Sequence, residues 1–185
     1  METSIIISGF GGQGTLFAGQ VLTYAALDHG KHCTWIPSYG PEMRGGTAHC
    51  TVIISDDEIG SPLVRNPDVV LAMNLPSLDK YENLVKENGI IVVNKSLINR
   101  GLERQGIKAL FIPGNEMAEQ LGNSRITNMI MIGAMLEISG VLPLEVVKKA
   151  LDEHMPERNR KFLPLNFDAL DKGAEFAQQA MAEMV

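Results

Sequence analysis

Three consecutive isoleucines, Ile5 to Ile7, lie within Ser4–Ser8 and run straight into glycines. An unbroken apolar run of that length is the pattern of a strand buried on both faces. The period then changes. Phe17, Val21 and Ala25 fall on one helical row, Ala18, Leu22 and Ala26 on the next, and Gly30 follows at a C-cap position. Thr15–His29 is therefore a predicted helix. His32–Ile36 reads as a second strand, Pro37–Gly46 as a loop punctuated by Gly40-Pro41 and Gly45-Gly46, and Ala48–Ile54 as a third strand closed by the polar turn Ser55–Glu58. Val69–Met73 is another buried run, followed by a helix from about Ser77 to Lys86. Ile90–Val93 and Ala109–Ile112 are the last predicted strands.

Beyond Pro113 the pattern is helical. Asn115 is placed to cap a short helix ending at Leu121, and Thr127 a longer one ending at Gly140. Pro143 sits where a further helix begins, Pro156 stops it after Met155, and Phe167–Met184 reads as a terminal amphipathic helix. Strands alternating with helices predict an α/β layer architecture around a mostly parallel sheet. Repeats and low-complexity tracts are absent, so residues 1–185 are expected to form a single domain with a helical C-terminal part.

Charge and cysteine content narrow the partners. Lys and Arg number 16 against 22 Asp and Glu, a net charge of −6, which leaves no basic stripe for a phosphate backbone and excludes nucleic acid. The two cysteines, Cys33 and Cys50, cannot supply the four thiolates of an iron–sulfur cluster or a four-cysteine zinc site. They also form no disulfide framework, so a reducing compartment is expected. The N-terminus carries Glu2 in place of a basic segment, and Met129–Leu136 falls far short of the ~20 apolar residues of a membrane span. The expectation is a soluble, cytoplasmic chain.

Gly9-Phe10-Gly11-Gly12-Gln13-Gly14 matches G-x-G-x-x-G between a strand and a helix. Glycines there permit a tight turn and let backbone N–H groups approach a phosphate at the positive helix end. A dinucleotide site also needs a carboxylate at the end of the second strand, and this chain has Ile36-Pro37-Ser38 there. That counts against an NAD-linked oxidoreductase; an anionic ligand, close helix–strand packing or a subunit contact all remain compatible. Pro37–Gly46 is the second unusual loop. It carries Ser38, Tyr39, Glu42 and Arg44, all capable of specific hydrogen bonds, and leaves the same sheet edge as the glycine loop. Candidate binding residues are therefore Gly11, Gly12, Gln13 and Gly14 with Ser38, Tyr39, Glu42 and Arg44, either for a ligand or for a partner chain.

Other features carry less. His32-Cys33 and His49-Cys50 are adjacent strand residues that face opposite ways, which argues against a shared metal. No G-x-S-x-G or S-x-x-K motif stands in a catalytic context. Asn74 and Asn94 end strands on the ligand edge, where they could hold a ligand, and are read first as turn or cap residues. Met129, Met131 and Met135 read as packing, and Arg158–Lys161 as a solvated basic cluster able to meet an acidic partner or a phosphate.

Taken together, the GFGGQG loop, Ala18-Gly19, Tyr39-Gly40-Pro41-Glu42 with Arg44-Gly45-Gly46, Ser61-Pro62, Pro67-Asp68, Asn128 with Gly133-Ala134, and Asn159-Arg160-Lys161 resemble the gamma subunits of 2-oxoacid:ferredoxin oxidoreductases over essentially the whole chain. The resemblance implies a Rossmann-like three-layer sandwich that packs on catalytic alpha and beta subunits and helps to position coenzyme A. It also implies that thiamine diphosphate, magnesium and iron–sulfur clusters are held by alpha, beta and delta-type partners, with ferredoxin reached indirectly. No catalytic residue and no metal ligand is carried over to this chain. A stand-alone ligand-binding or scaffold module is the alternative from a different class.

Overall fold

In the computed structural model the structure describes residues 1–38 and 47–183. Six strands form one sheet: β1 (Glu2–Phe10), β2 (His32–Ser38), β3 (Thr47–Ser55), β4 (Val69–Ala72), β5 (Ile90–Asn94) and β6 (Lys108–Ile112), in the order β2-β3-β1-β4-β5-β6. β1, β4, β5 and β6 pair in parallel. β3 runs antiparallel to both β1 and β2, so β2 and β3 form a hairpin, which the expected alternation of strands and helices did not anticipate. The mostly parallel α/β sheet stands.

Side-chain alternation divides the core. Ile5 and Ile7 of β1 face a large cluster built from α1 (Thr15–Asp28), α3 (Gly114–Gln120), α4 (Thr127–Ser139), α5 (Leu144–His154) and α6 (Leu163–Glu183). Ile6 faces a smaller cluster under α2 (Leu75–Tyr81) and the stretch carrying Ile98 and Leu102. Both faces are covered, unequally. Helix α1 lies close on the β2–β3 hairpin because Gly19 has no side chain to collide with Cys50 Sγ and the Trp35 ring.

α4 is buried from Thr127 to Leu136, all the way round, between the sheet and α6. α6 crosses it backbone to backbone: a methyl on Gly133 would run into the Leu170 carbonyl, and one on Gly173 into that of Ile130. Several boundaries differ from expectation for local reasons. α2 gives way to a 3-10 turn at Glu82–Leu84. Asn115 does not cap α3; Pro113 holds that position and the Asn115 side chain turns to Asn94. Thr127 does not cap α4 either, because the 3-10 turn Ser124–Ile126 leads directly into it and Asn123 caps that turn. α6 starts a turn earlier than Phe167, continuing the 3-10 segment Glu157–Phe162.

Candidate functional site

The glycine loop joins β1 to α1. Gly12 and Gly14 have φ of 93° and 75°, the left-handed region where a side chain costs energy. Gly14 occupies the N-cap of α1 without any side-chain cap. A Cβ on it would come within 2.5 Å of Asn128 Nδ2, the group that donates to the Gly14 carbonyl at 3.2 Å. Gln13 folds back on the loop. Its Oε1 accepts from Phe10 N–H at 2.6 Å, its backbone N–H donates to the Phe10 carbonyl at 3.2 Å, and Nε2 donates to the Met73 carbonyl at 3.4 Å. Gln13 therefore shapes the turn and ties it to the end of β4. With glycine at the N-cap, no side chain caps the first N–H groups of this 14-residue helix, an arrangement suited to an anion.

Beside the loop lies a crevice of about 230 Å³ lined by Gly12, Gln13, Met73, Asn115, Arg125 and Thr127. Asn94, fully buried, ties two of these residues together: Nδ2 donates to the Met73 carbonyl at 3.3 Å and to Asn115 Oδ1 at 2.9 Å. Its own Oδ1 is buried with no partner among the described residues, a costly state unless something completes it. Asn94 does sit at a turn, its carbonyl accepting from Leu97 N–H at 3.1 Å, while its side chain reaches beyond that turn. Asn74 is the cap it was read as, with Oδ1 accepting from Ser77 N–H at 2.9 Å and Ser77 Oγ–H at 2.6 Å. Arg125 contributes a guanidinium that makes no ion pair among the described residues. Arg125 is not among the candidates the sequence singles out. Its signal was the polar run Asn123-Ser124-Arg125 just before the longest apolar helix of the C-terminal half.

The second loop is placed by its stems. Ser38 pairs with His49, His49 with Ser8, and Thr47 with Phe10, so both stems stand on the edge that carries the glycine loop. Ser38 is half-buried at the end of β2, two strand spacings (~10 Å) from β1. Tyr39, Glu42 and Arg44 lie outside the described residues. Because β3 separates β2 from β1, the end of the second strand is not beside the glycine loop, which removes the usual station of a ribose-binding carboxylate.

Both cysteines face the α1 core. Cys33 Sγ–H donates to the Thr23 carbonyl at 3.6 Å and Cys50 Sγ–H to that of Thr15 at 3.4 Å. Burial pushes the Cys50 thiol up to about 12 and raises that of Cys33 as well. His49 lies on the opposite face against Tyr81, ring centroids 5.7 Å apart, so His49 and Cys50 do point apart. Met129, Met131 and Met135 are fully buried packing. Among the described residues no helix is long and apolar enough to cross a membrane.

The family model for pyruvate ferredoxin/flavodoxin oxidoreductases matches residues 4–176. The chain belongs to that family. Its sequence is 37% identical over 179 residues to the ketoisovalerate oxidoreductase subunit VorA of Methanothermobacter thermautotrophicus, covering 96% of this chain and 37% of that protein. The chain thus spans little more than a third of the length of that relative. The keto/oxoacid ferredoxin oxidoreductase gamma subunit of Geobacter sulfurreducens has the same fold, with a TM-score of 0.83 at 32% identity, over 96% of this chain and 99% of that one. The 2-oxoglutarate:ferredoxin oxidoreductase of Magnetococcus marinus, with 2-oxoglutarate, coenzyme A and succinyl-CoA bound, superposes with a TM-score of 0.87 at 23% identity, over 96% of this chain and 31% of that one. The gamma-type family membership and the α/β fold expected from the sequence are both borne out.

Proposed function

We propose that the chain is the non-catalytic gamma subunit, a single domain over residues 1–185, of a cytoplasmic 2-oxoacid:ferredoxin oxidoreductase. That complex decarboxylates a 2-oxoacid oxidatively to acyl-CoA and reduces ferredoxin. Thiamine diphosphate, magnesium and iron–sulfur clusters belong to the alpha, beta and delta-type subunits, and the gamma subunit holds coenzyme A in place for them. Coenzyme A supplies the thiol that accepts the acyl group. Membership of the family supports the assembly. The observation that carries the coenzyme A reading is the crevice itself, where an uncapped helix start and the unpaired Arg125 meet beside the glycine loop.

Each group has a role that follows from its chemistry. The glycines Gly11, Gly12 and Gly14 let phosphate oxygens reach the backbone N–H groups, while Gln13 fixes the turn that aims them. Arg125, with Arg44 from the second loop, neutralises phosphate with charge-assisted hydrogen bonds. Ser38, Tyr39 and Glu42 complete the ligand- and subunit-facing edge.

Calorimetric titration of the chain with coenzyme A tests this reading. Losing one charge-assisted contact costs about 1.5–3 kcal/mol, so Arg44→Ala and Arg125→Ala are each expected to weaken binding by at least about tenfold. Absence of binding heat, together with an unchanged KM for coenzyme A in the assembled complex carrying both substitutions, would reduce the crevice and both loops to interface elements.

A further inference from the structure

A second concavity runs away from the glycine loop along α1. Two cavities of about 420 and 230 Å³ share Phe17, Met155 and Asn159 and so form one groove. One wall is the α1 face bearing Phe17, Val21 and Tyr24, about 10 Å long at 1.5 Å per residue. The far end is closed where Tyr24 stacks on His154, centroids 4.3 Å apart and rings 14° from parallel, with His154 held by Asp28 at 2.8 Å. The near end opens at Arg125.

Three of the groove's polar groups, Asn123, Asn159 and Asn166, are carboxamides with unused valence. Among the described residues the Asn159 side chain makes no hydrogen bond. Asn166 spends Nδ2 on the Phe162 carbonyl at 2.7 Å and leaves Oδ1, whereas Asn123 spends Oδ1 on Arg125 N–H at 3.0 Å and leaves Nδ2. Donors and acceptors therefore alternate with apolar walls, the pattern that a peptide backbone, one N–H and one C=O per residue, satisfies. The rim is basic. Arg125, Arg158 and Lys161 have no carboxylate partner among the described residues, while the intervening Arg160 is paired with Asp152. Lys161 Nζ stands 5.1 Å from the centroid of the Phe162 ring, which is 41% exposed. Unbalanced cations on a chain of net charge −6 call for carboxylates from elsewhere.

We infer that this groove receives an extended acidic segment of another subunit of the complex, its backbone on the carboxamides and its carboxylates on Arg158 and Lys161. A strand-like segment rises about 3.3 Å per residue, so the ~10 Å wall holds about three residues. The inference rests on the subunit reading above and adds the chemistry of the partner. It uses Arg158 and Lys161, which are exposed and lie outside the coenzyme A crevice.

The test uses the complex co-expressed with its partner subunits, with the photo-crosslinking residue p-benzoylphenylalanine in place of Phe162. Illumination and peptide mapping are expected to yield a crosslink to one partner peptide carrying at least two Asp or Glu. Arg158→Glu with Lys161→Glu is expected to lower that yield at least tenfold, and Asp or Glu to Lys substitutions in the crosslinked peptide to restore it. The milder Arg158→Gln with Lys161→Gln, whose neutral side chains put no new negative charge on the groove, should reduce the yield by a smaller factor. A crosslink to a peptide without carboxylates, a yield indifferent to the charge reversal, or loss of the crosslink on adding coenzyme A alone would overturn the inference while leaving the subunit reading intact. Failure of the wild-type chain to assemble at all overturns the subunit reading first.

Discussion

Gln13 illustrates how a residue in a ligand loop can be occupied entirely with its neighbours. Its amide accepts from Phe10 and donates to Met73, so the loop is shaped before any ligand arrives. Gly14 is the point where that shape is least tolerant, because φ is 75° and Asn128 fills the space where a methyl would go. Gly14→Ala is expected to cost about 1–2 kcal/mol from the left-handed backbone alone, with more from the displaced Asn128, read as a lowered midpoint in chemical denaturation. The thiols give a prediction of the opposite kind. With burial holding Cys50 at about 12, almost no thiolate exists at pH 8. Native protein should leave Cys50 unmodified by iodoacetamide at that pH, and denatured protein should take up the label at both cysteines, as counted by mass. The glycine loop was legible at this scale because its spacing is local. Asn94 was legible as a strand-end residue on the ligand edge, but Arg125 was not, since what makes it notable is a missing partner, and a sequence does not display which groups go unpaired.

Element pairing shows the same division. The helices and strands follow from period and punctuation, and so do the helix ends at Gly30, just past the C-cap His29, and at Gly140, because left-handed glycines end helices by a local rule. The direction of β3 was missed because strand orientation is set by long-range pairing: nine residue pairs from Glu2↔Ser55 to Phe10↔Thr47 fix it against β1. The α4–α6 crossing was equally hidden. Gly133 and Gly173 are 40 positions apart, and only the folded chain places each against the backbone of the other helix. Gly173→Ala is expected to push the helices apart and destabilise the protein by about 1–3 kcal/mol or more, seen as a lower Tm with little change in helical circular dichroism. The same substitution at Gly60, where a Cβ meets nothing, serves as the control.

At the scale of the whole molecule the thinner face of the sheet depends on one buried carboxylate. Glu82 accepts from the N–H groups of Glu103 and Arg104 and pairs with Arg100 at 2.9 Å, fastening the stretch after β5 onto the turn that follows α2. Burial alone raises the Glu82 carboxyl; the N–H of Arg104, the Arg100 guanidinium and the N–H of Glu103 outweigh it, and its pKa settles below the ordinary 4.5. A carboxyl depressed in the folded state adds stability that is fully present above about 4.5 and is lost as pH falls through the lower folded value. Asp68 behaves in the same sense: burial raises it, but Lys86 and Ser4 outweigh that and lower it. Tm should therefore drop on acidification below about 4.5. Glu82→Gln, which leaves buried N–H groups less well matched, should cost about 1–3 kcal/mol at pH 7 and flatten the acid limb of the Tm profile. An acid limb unchanged in the variant would assign that dependence to other carboxylates.

The antiparallel placement of β3 has an evolutionary consequence. Ser38 and Thr47 are the two feet of a hairpin whose register is fixed along nine pairs with β1 and seven with β2. Whatever joins those feet can be lengthened, shortened or exchanged between related complexes without moving a strand or the glycine turn beside it. Selection can therefore retune what this edge meets while the scaffold that carries it stays the same.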